Sequence, residues 1–211
     1  MFTSSSPPAL PPASRRPAYR IAKRVLDLTV AGVGLLAFWW LFALVALLVK
    51  ATSRGPVLFR QARAGLGGKP FTILKFRTMR ADARLERGQA SGGPPVKMRD
   101  DPRITALGRV LRRTSLDESP QLVNVLLGQM SLVGPRPLPL DEAAALRPEH
   151  QRRHDVLPGL TGLWQASGRN RLPPERMMAL DLDYVARCSL WLDLRILLAT
   201  IPAVLTGRGA F

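Results

Sequence analysis

From Leu28 to Val49 about 22 consecutive residues carry no charge, and at about 1.5 Å per residue such a helix is long enough to cross a hydrocarbon core of about 30 Å. It is too long for a cleavable signal and has no small-residue cleavage site. Soluble core helices rarely need so long an uncharged run. Downstream the period shortens. Val57-Leu58-Phe59-Arg60-Gln61 and Phe71-Thr72-Ile73-Leu74-Lys75-Phe76 read as two short strands, with Gly65-Leu66-Gly67-Gly68 as the hairpin loop between them. A helical period returns from Arg103 to Arg113, where Ile104, Leu107, Val110 and Leu111 share one face and Arg109, Arg112 and Arg113 lie largely off it. Leu122, Val123, Val125, Leu126 and Leu127 predict a buried helix. Near the C-terminus Leu190, Trp191, Leu194, Leu197, Leu198, Ile201 and Leu205 form an apolar stripe that Pro202 should kink or end. Core packing is the default for such a stripe; the alternative is a helix in the membrane interface, helped by Trp191.

These elements predict an α+β fold, mostly helical, with a small antiparallel hairpin or sheet and an N-terminal membrane-inserted helix. Residues 1–18, rich in Ser, Pro and Ala, read as a disordered tail. Residues 19–50 form the membrane-inserted helix, and residues 51–211 a catalytic domain with membrane-interface helices. The stretch from Arg80 to Asp100, charged and then Gly/Pro-rich, reads as a mobile loop that covers a ligand or as an ordinary surface connection.

Charge narrows the partners. With 31 Lys and Arg against 15 Asp and Glu the net charge is +16, which favours nucleic acid, anionic lipid or a phosphorylated substrate. Zinc-finger spacing and an RNA-binding signature are both missing, so nucleic acid is not expected, and the apolar run points to a lipid bilayer. Arg15, Arg16, Arg20, Lys23 and Arg24 precede that run and Lys50, Arg54, Arg60 and Arg63 follow it. The positive-inside rule therefore wants both ends in the cytoplasm. A re-entrant helix meets that demand; a straight span does not. Gly32 and Gly34 are its weak points, or else packing sites. Cys188 stands alone, which fits a reducing compartment. His150 and His154 lack the glutamate of a His-Glu-x-x-His site, so zinc is not expected.

The chemistry concentrates between Arg112 and Pro137. Ser115 with Glu118 fits a capping box, and Ser119 before Pro120 fits a second helix start. Either choice puts Asp117 and Glu118 at a helix N-terminus, where the dipole keeps carboxylates ionised and lets phosphate dock. Dipole satisfaction alone is the plain role of such a pair; an ionised aspartate is also a competent nucleophile toward phosphorus. Pro135 and Pro137 stiffen Arg136 into an oxyanion clamp. Lys75 and Arg77 come at a strand end, available for phosphate or serving as edge charges against aggregation.

Read in order, Lys75-Phe76-Arg77-Thr78-Met79, Asp101-Pro102-Arg103, Ser115-Leu116-Asp117-Glu118, Met130-Ser131-Leu132-Val133-Gly134-Pro135-Arg136-Pro137, Pro158-Gly159-Leu160-Thr161-Gly162 and Gly168-Arg169-Asn170 resemble the bacterial sugar transferase family, the monotopic phosphoglycosyl transferases. The resemblance runs from about Lys23 to the C-terminus. It implies an enzyme at the cytoplasmic face of the bacterial inner membrane that starts glycoconjugate or exopolysaccharide assembly. Asp117 would attack the β-phosphate of a nucleotide diphosphate sugar, with uridine the expected base, and polyprenyl phosphate would then take the sugar phosphate. Glu118 would hold Mg²⁺, which suits one or two carboxylates plus substrate phosphates. Arg112 and Arg136 would neutralise phosphate charge, and Asp181, close to Asp183, matches a further acidic position of the family. Many members break the membrane helix with a Ser-Pro pair where this chain has Trp39-Trp40.

From Pro158 to Asn170, Gly159, Gly162 and Gly168 could let backbone approach a ligand, with Gln165 or Asn170 reading a base and Arg169 meeting phosphate. Two other readings stay open. One is a non-catalytic, membrane-anchored basic protein that binds anionic lipid or nucleic acid. The other is a metal-dependent glycosyltransferase that moves the sugar without its phosphate.

Overall fold

The computed structural model describes residues 17–80 and 101–205. Most of the N-terminal tail and the stretch from Arg80 to Asp100, apart from Arg80 itself, lie outside the described residues, as do the side chains of Asn170 and Leu205. Helix α1 (Pro17–Thr52) runs unbroken through Gly32, Gly34 and Trp39-Trp40. It begins inside the segment expected to be tail, because proline is tolerated at a first helical position.

Polar residues in the first part of α1 dock it. Arg24 donates to the carbonyls of Val125 (2.6 Å) and Leu126 (2.7 Å), capping the last turn of α3 (Gln121–Leu126). Asp27 accepts from the Ser131 hydroxyl (3.0 Å) and the Leu132 amide (2.9 Å). Further along, Val45 and Val49 pack with Phe76 and Leu111. Both ends of α1 therefore rest on one domain, while Leu36, Trp39 and Leu47 on its outer side stay 78, 66 and 66% exposed.

The predicted hairpin forms. Strands β1 (Leu58–Ala64) and β2 (Pro70–Phe76) pair antiparallel from Leu58↔Phe76 to Ala64↔Pro70. A second sheet has no counterpart in the sequence reading: β3 (Ser131–Val133) pairs in parallel with β4 (Gly159–Thr161). Three residues are too few to leave an alternating signature. The glycines around this pair approach backbone rather than a ligand, since a Cβ on Gly134 would lie 2.4 Å from the Leu157 carbonyl oxygen and one on Gly159 would lie 2.1 Å from the Gly134 nitrogen.

Helix α2 (Ala106–Arg113) starts where Thr105 Oγ1 accepts from the Gly108 amide at 2.9 Å. It buries Gly108 and Leu111, and Val110 points outward at 57% exposure, which corrects the four-residue apolar face. In α3 the buried side chains are Gln121, Asn124 and Val125, while Val123 and Leu127 are exposed. Asn124 earns its place by pairing with the edge of β2: its amide donates to the Thr72 carbonyl (2.8 Å) and its oxygen accepts from the Leu74 amide (3.1 Å). After α4 (Leu140–Ala144) and α5 (Leu163–Ser167), helix α6 (Pro174–Arg187) contributes Tyr184 to a core with Ile73, Val125, Met130, Leu132 and Ile196.

Helix α7 (Leu190–Leu205) passes through Pro202 without ending there. Its apolar stripe faces outward, with Trp191, Leu194, Leu198 and Ile201 exposed. The inward side is fixed by Asp193, fully buried, which accepts from Tyr19 (3.1 Å), Lys23 (2.9 Å) and Tyr184 (2.7 Å). Burying a charge requires such partners, and three donors at that point turn the apolar side away from the core. Between α1 and α7 lies a groove of about 320 Å³ lined by Ala22, Val25, Leu26, Thr29, Leu190 and Leu194. Core packing therefore holds for one side of α7 only, where Ile196 is buried with Leu192 and Leu197 beside it, and the rest of the stripe is exposed.

Candidate active site

Asp117 and Glu118 sit neither in a capping box nor at an α-helix start. Ser115 adopts a left-handed conformation (φ 58°) with no side-chain capping bond, and the dyad occupies a single 3₁₀ turn, Leu116–Glu118, between α2 and α3. Pro120 likewise precedes α3 rather than opening it. The helix dipole is therefore not what sets the charge of the pair.

Neighbouring side chains set it, and they divide the two carboxylates. Glu118 Oε1 accepts from Lys75 Nζ and from Arg136 Nη2, both at 2.6 Å, and its Oε2 accepts from Arg136 Nη1 at 3.2 Å. Burial on its own would raise the Glu118 pKa, but the adjacent Arg136 and Lys75 charges and their hydrogen bonds hold it well below the carboxylate range. Asp117 is 9% exposed, and among the described residues no side chain donates to it. Burial first, then the charge of Glu118, push its pKa up to about 6, against the pull of Lys75, Arg112 and Arg136. The expectation that a helix dipole sets the charge of the pair is corrected: burial and neighbouring side chains do so, raising the pKa of Asp117 and lowering that of Glu118.

Several elements converge here. Strand β2 delivers Lys75, the turn after α2 delivers the dyad, and the segment after β3 delivers Arg136. Arg112, at the end of α2, is aimed by a bond from its Nε to Thr78 Oγ1 at 2.9 Å. Arg169 Nη2 lies 3.4 Å from Ser115 Oγ. Arg169 (φ 54°) and Ser115 are the two non-glycine residues with positive φ among the described residues, so the two strained positions meet beside the dyad. Such strain persists only where surrounding structure holds it.

Other expected site residues lie elsewhere. Arg77 is 7% exposed and donates to the Ser53 carbonyl and hydroxyl, both at 2.8 Å, which ties it to the end of α1. Gln165 donates to the Leu160 carbonyl at 3.4 Å, and its buried Oε1 has no partner among the described residues. Asn170 belongs to the 3₁₀ turn Arg169–Arg171. Asp181 is 3% exposed and pairs with Arg153, whose Nη2 lies 2.6 Å from Asp181 Oδ2 and 2.8 Å from the carbonyl oxygen of Arg136. Asp183, its neighbour in sequence, pairs with Arg187 at the surface. His154 is buried against Gln151, and no group of three metal-ligating side chains occurs among the described residues.

The bacterial sugar transferase profile matches residues 18–207. The chain belongs to the bacterial sugar transferase family. It is 46% identical over 207 residues to a UDP-glucose:undecaprenyl-phosphate glucose-1-phosphate transferase of Caulobacter vibrioides, covering 93% of this chain and 74% of that protein. It is 42% identical over 205 residues to the exopolysaccharide production protein ExoY of Rhizobium meliloti, covering 93% of this chain and 91% of that protein. Galactosyl transferase CpsE of Streptococcus agalactiae is 43% identical over 203 residues, and there the match covers 92% of this chain but 44% of the relative.

In this sugar transferase family member Arg153 was not legible beforehand. It stands beside Arg152 in a polar 3₁₀ stretch, Pro148–Asp155, and nothing in the local sequence distinguishes the 3% exposed Arg153 side chain from the 61% exposed Arg152 side chain.

Proposed function

We propose that the protein transfers a sugar 1-phosphate from a uridine diphosphate sugar to polyprenyl phosphate through a covalent intermediate on Asp117. The observation that carries this reading is the division of the dyad: one carboxylate is paired with two cations, while its neighbour is buried, close to them, and takes no side-chain hydrogen bond among the described residues. Such a carboxylate keeps its lone pairs for phosphorus. In the first step Asp117 Oδ attacks the β-phosphorus, and the bond from that phosphorus to the bridging oxygen breaks. The nucleoside monophosphate leaves with that oxygen. In the second step a phosphate oxygen of the polyprenyl phosphate attacks the same phosphorus, which releases the Asp117 carboxylate and forms a polyprenyl diphosphate sugar. Arg136, Arg112 and Lys75 offset charge on the phosphoryl oxygens in both steps.

The site suits Mg²⁺. Glu118 Oε1 is filled by two donors, but Oε2 accepts one bond at 3.2 Å and keeps a lone pair for a cation. A magnesium ion takes most of its remaining ligands from substrate phosphate and water, so the absence of a three-ligand cluster among the described residues is no obstacle. When bound it supplies positive charge to the diphosphate oxygens.

The outward apolar sides of α1 and α7 support membrane attachment, and contacts at both ends of the unbroken α1 support a helix whose two ends lie on the cytoplasmic face with its exposed apolar side turned to lipid. Covalent trapping tests the chemistry. Detergent-purified protein incubated with a nucleotide sugar labelled in its β-phosphate should retain label after denaturation, lose it to hydroxylamine as an acyl phosphate does, and retain none in Asp117→Asn. Full turnover by Asp117→Asn would remove Asp117 from the reaction.

A further inference from the structure

Beside Lys75 and Arg136 lies a notch of about 10 Å³, lined by Arg63, Ile73, Lys75, Gln121, Arg136 and Pro137. That volume holds about one water-sized atom. Two of the lining residues carry buried N–H groups without a partner among the described residues. Gln121 is 2% exposed, and its Nε2 is unpaired. Arg63 donates from Nη1 to the Pro137 carbonyl (3.2 Å) and from Nη2 to Gln61 Oε1 (2.6 Å), but its Nε is unpaired. Leaving such buried donors unmet is costly.

Charge adds to the demand. Three cations, Arg63, Lys75 and Arg136, border the notch, and Glu118 is already shared by two of them. Burial, and next the charge of Arg136, disfavour the Arg63 cation where it stands. A water in the notch would have to find acceptors for its own hydrogens, whereas the unpaired side-chain atoms are donors. An anionic oxygen accepts from both.

We propose that the notch receives one oxygen of the phosphate that departs with the nucleoside, so that Arg63 and Gln121 bind the leaving nucleoside monophosphate. This rests on the phosphosugar-transfer reading above. The notch holds one oxygen and no phosphorus, and Lys75 and Arg136 line it while Asp117 does not; in this proposal that oxygen belongs to the phosphate next to the one Asp117 attacks.

The test uses the full-length protein in lipid nanodiscs, with uridine monophosphate as competitive inhibitor and uridine as the control that lacks phosphate. Gln121→Leu removes the amide at nearly constant volume, Arg63→Gln removes the cation, and Gln121→Glu places a negative charge at the notch. The inhibition constant for uridine monophosphate should rise about tenfold or more in each, most in Gln121→Glu, in line with loss of a charge-assisted hydrogen bond. KM for the nucleotide sugar should rise in parallel, and inhibition by uridine should not move. Thermal melting identifies variants that fold; if Gln121→Leu does not, Arg63→Gln decides. Unchanged inhibition by uridine monophosphate in a folded variant overturns the proposal and assigns the notch to water. If the wild-type protein releases no nucleoside monophosphate from any nucleotide sugar, the transfer reading itself fails, a result read before any variant is made.

Discussion

Arg153 grips Asp181 at 2.6 Å and, from the same nitrogen, the backbone carbonyl of Arg136 at 2.8 Å. Helix α6 is thereby joined to the loop that carries Arg136. Both partners are almost fully buried, so breaking the pair strands a charge. Arg153→Met should destabilise the protein by about 3–5 kcal/mol. The double variant Arg153→Met/Asp181→Leu should recover much of that stability, because no unpaired charge is left inside. Activity should not return with it, since the Arg136 carbonyl still lacks its donor. Thermal unfolding together with nucleotide-sugar KM checks this; a double variant with wild-type KM would show that Arg136 needs no such support.

The raised Asp117 pKa sets a pH dependence. Only the carboxylate attacks phosphorus, and burial with the Glu118 charge moves its titration up to about 6. Below that pH Asp117, the proposed nucleophile, is mostly protonated. kcat/KM for nucleoside monophosphate release should be level above about pH 6 and fall about tenfold per unit below it. The break reports the Asp117–Glu118 pair as a unit. Initial rates at subsaturating nucleotide sugar between pH 5 and 8 measure it, and a profile flat down to pH 5 would contradict an ionising Asp117 nucleophile.

The same shift has a cost in stability. Between about pH 4 and 6 folded Asp117 holds a proton that the unfolded chain has released, so stability falls as pH rises through that window and stays lower above it. Asp117→Asn removes the charge that burial disfavours. It should be inactive yet melt higher than the wild type at pH 8, by an amount on the order of 1–3 kcal/mol, with the gap closing toward pH 5. Equal melting temperatures at pH 8 would mean the site accommodates the Asp117 charge at no expense.

What the chain announces locally, it builds locally. The β1–β2 hairpin followed from alternation and glycines, and it brings Lys75 to Glu118; Arg136, between its two prolines, reaches the same carboxylate. What escaped depends on distant partners. Ser115 looked like a cap, but its left-handed backbone is held within a turn that packs beside Arg169, 54 residues away. The parallel pairing of β3 with β4 is non-local and three residues long. For α7 the periodicity identified an apolar stripe without saying what it faces, and the inward side was decided by Asp193 and its donors on α1 and α6. Asp181 was noticed, while its partner Arg153, 28 residues earlier, was not.

The topology of α1 can be read from its two ends. Arg24 and Asp27 hold the first part to α3 and β3, and Val45 and Val49 hold the last part to Phe76 and Leu111. One domain cannot sit on both sides of a bilayer, so both ends should face the same aqueous compartment even though the middle is apolar enough to enter lipid. Ala18 and Ala51 are exposed on either side of the apolar run, and the one native cysteine, Cys188, is buried. Ala18→Cys and Ala51→Cys, each on a Cys188→Ala background, should therefore react with a membrane-impermeant maleimide in inside-out vesicles and resist it in intact cells. Opposite labelling of the two positions would require α1 to span the membrane, and with it the detachment of one end from the domain that the packing of Val49 and the bonds of Arg24 oppose.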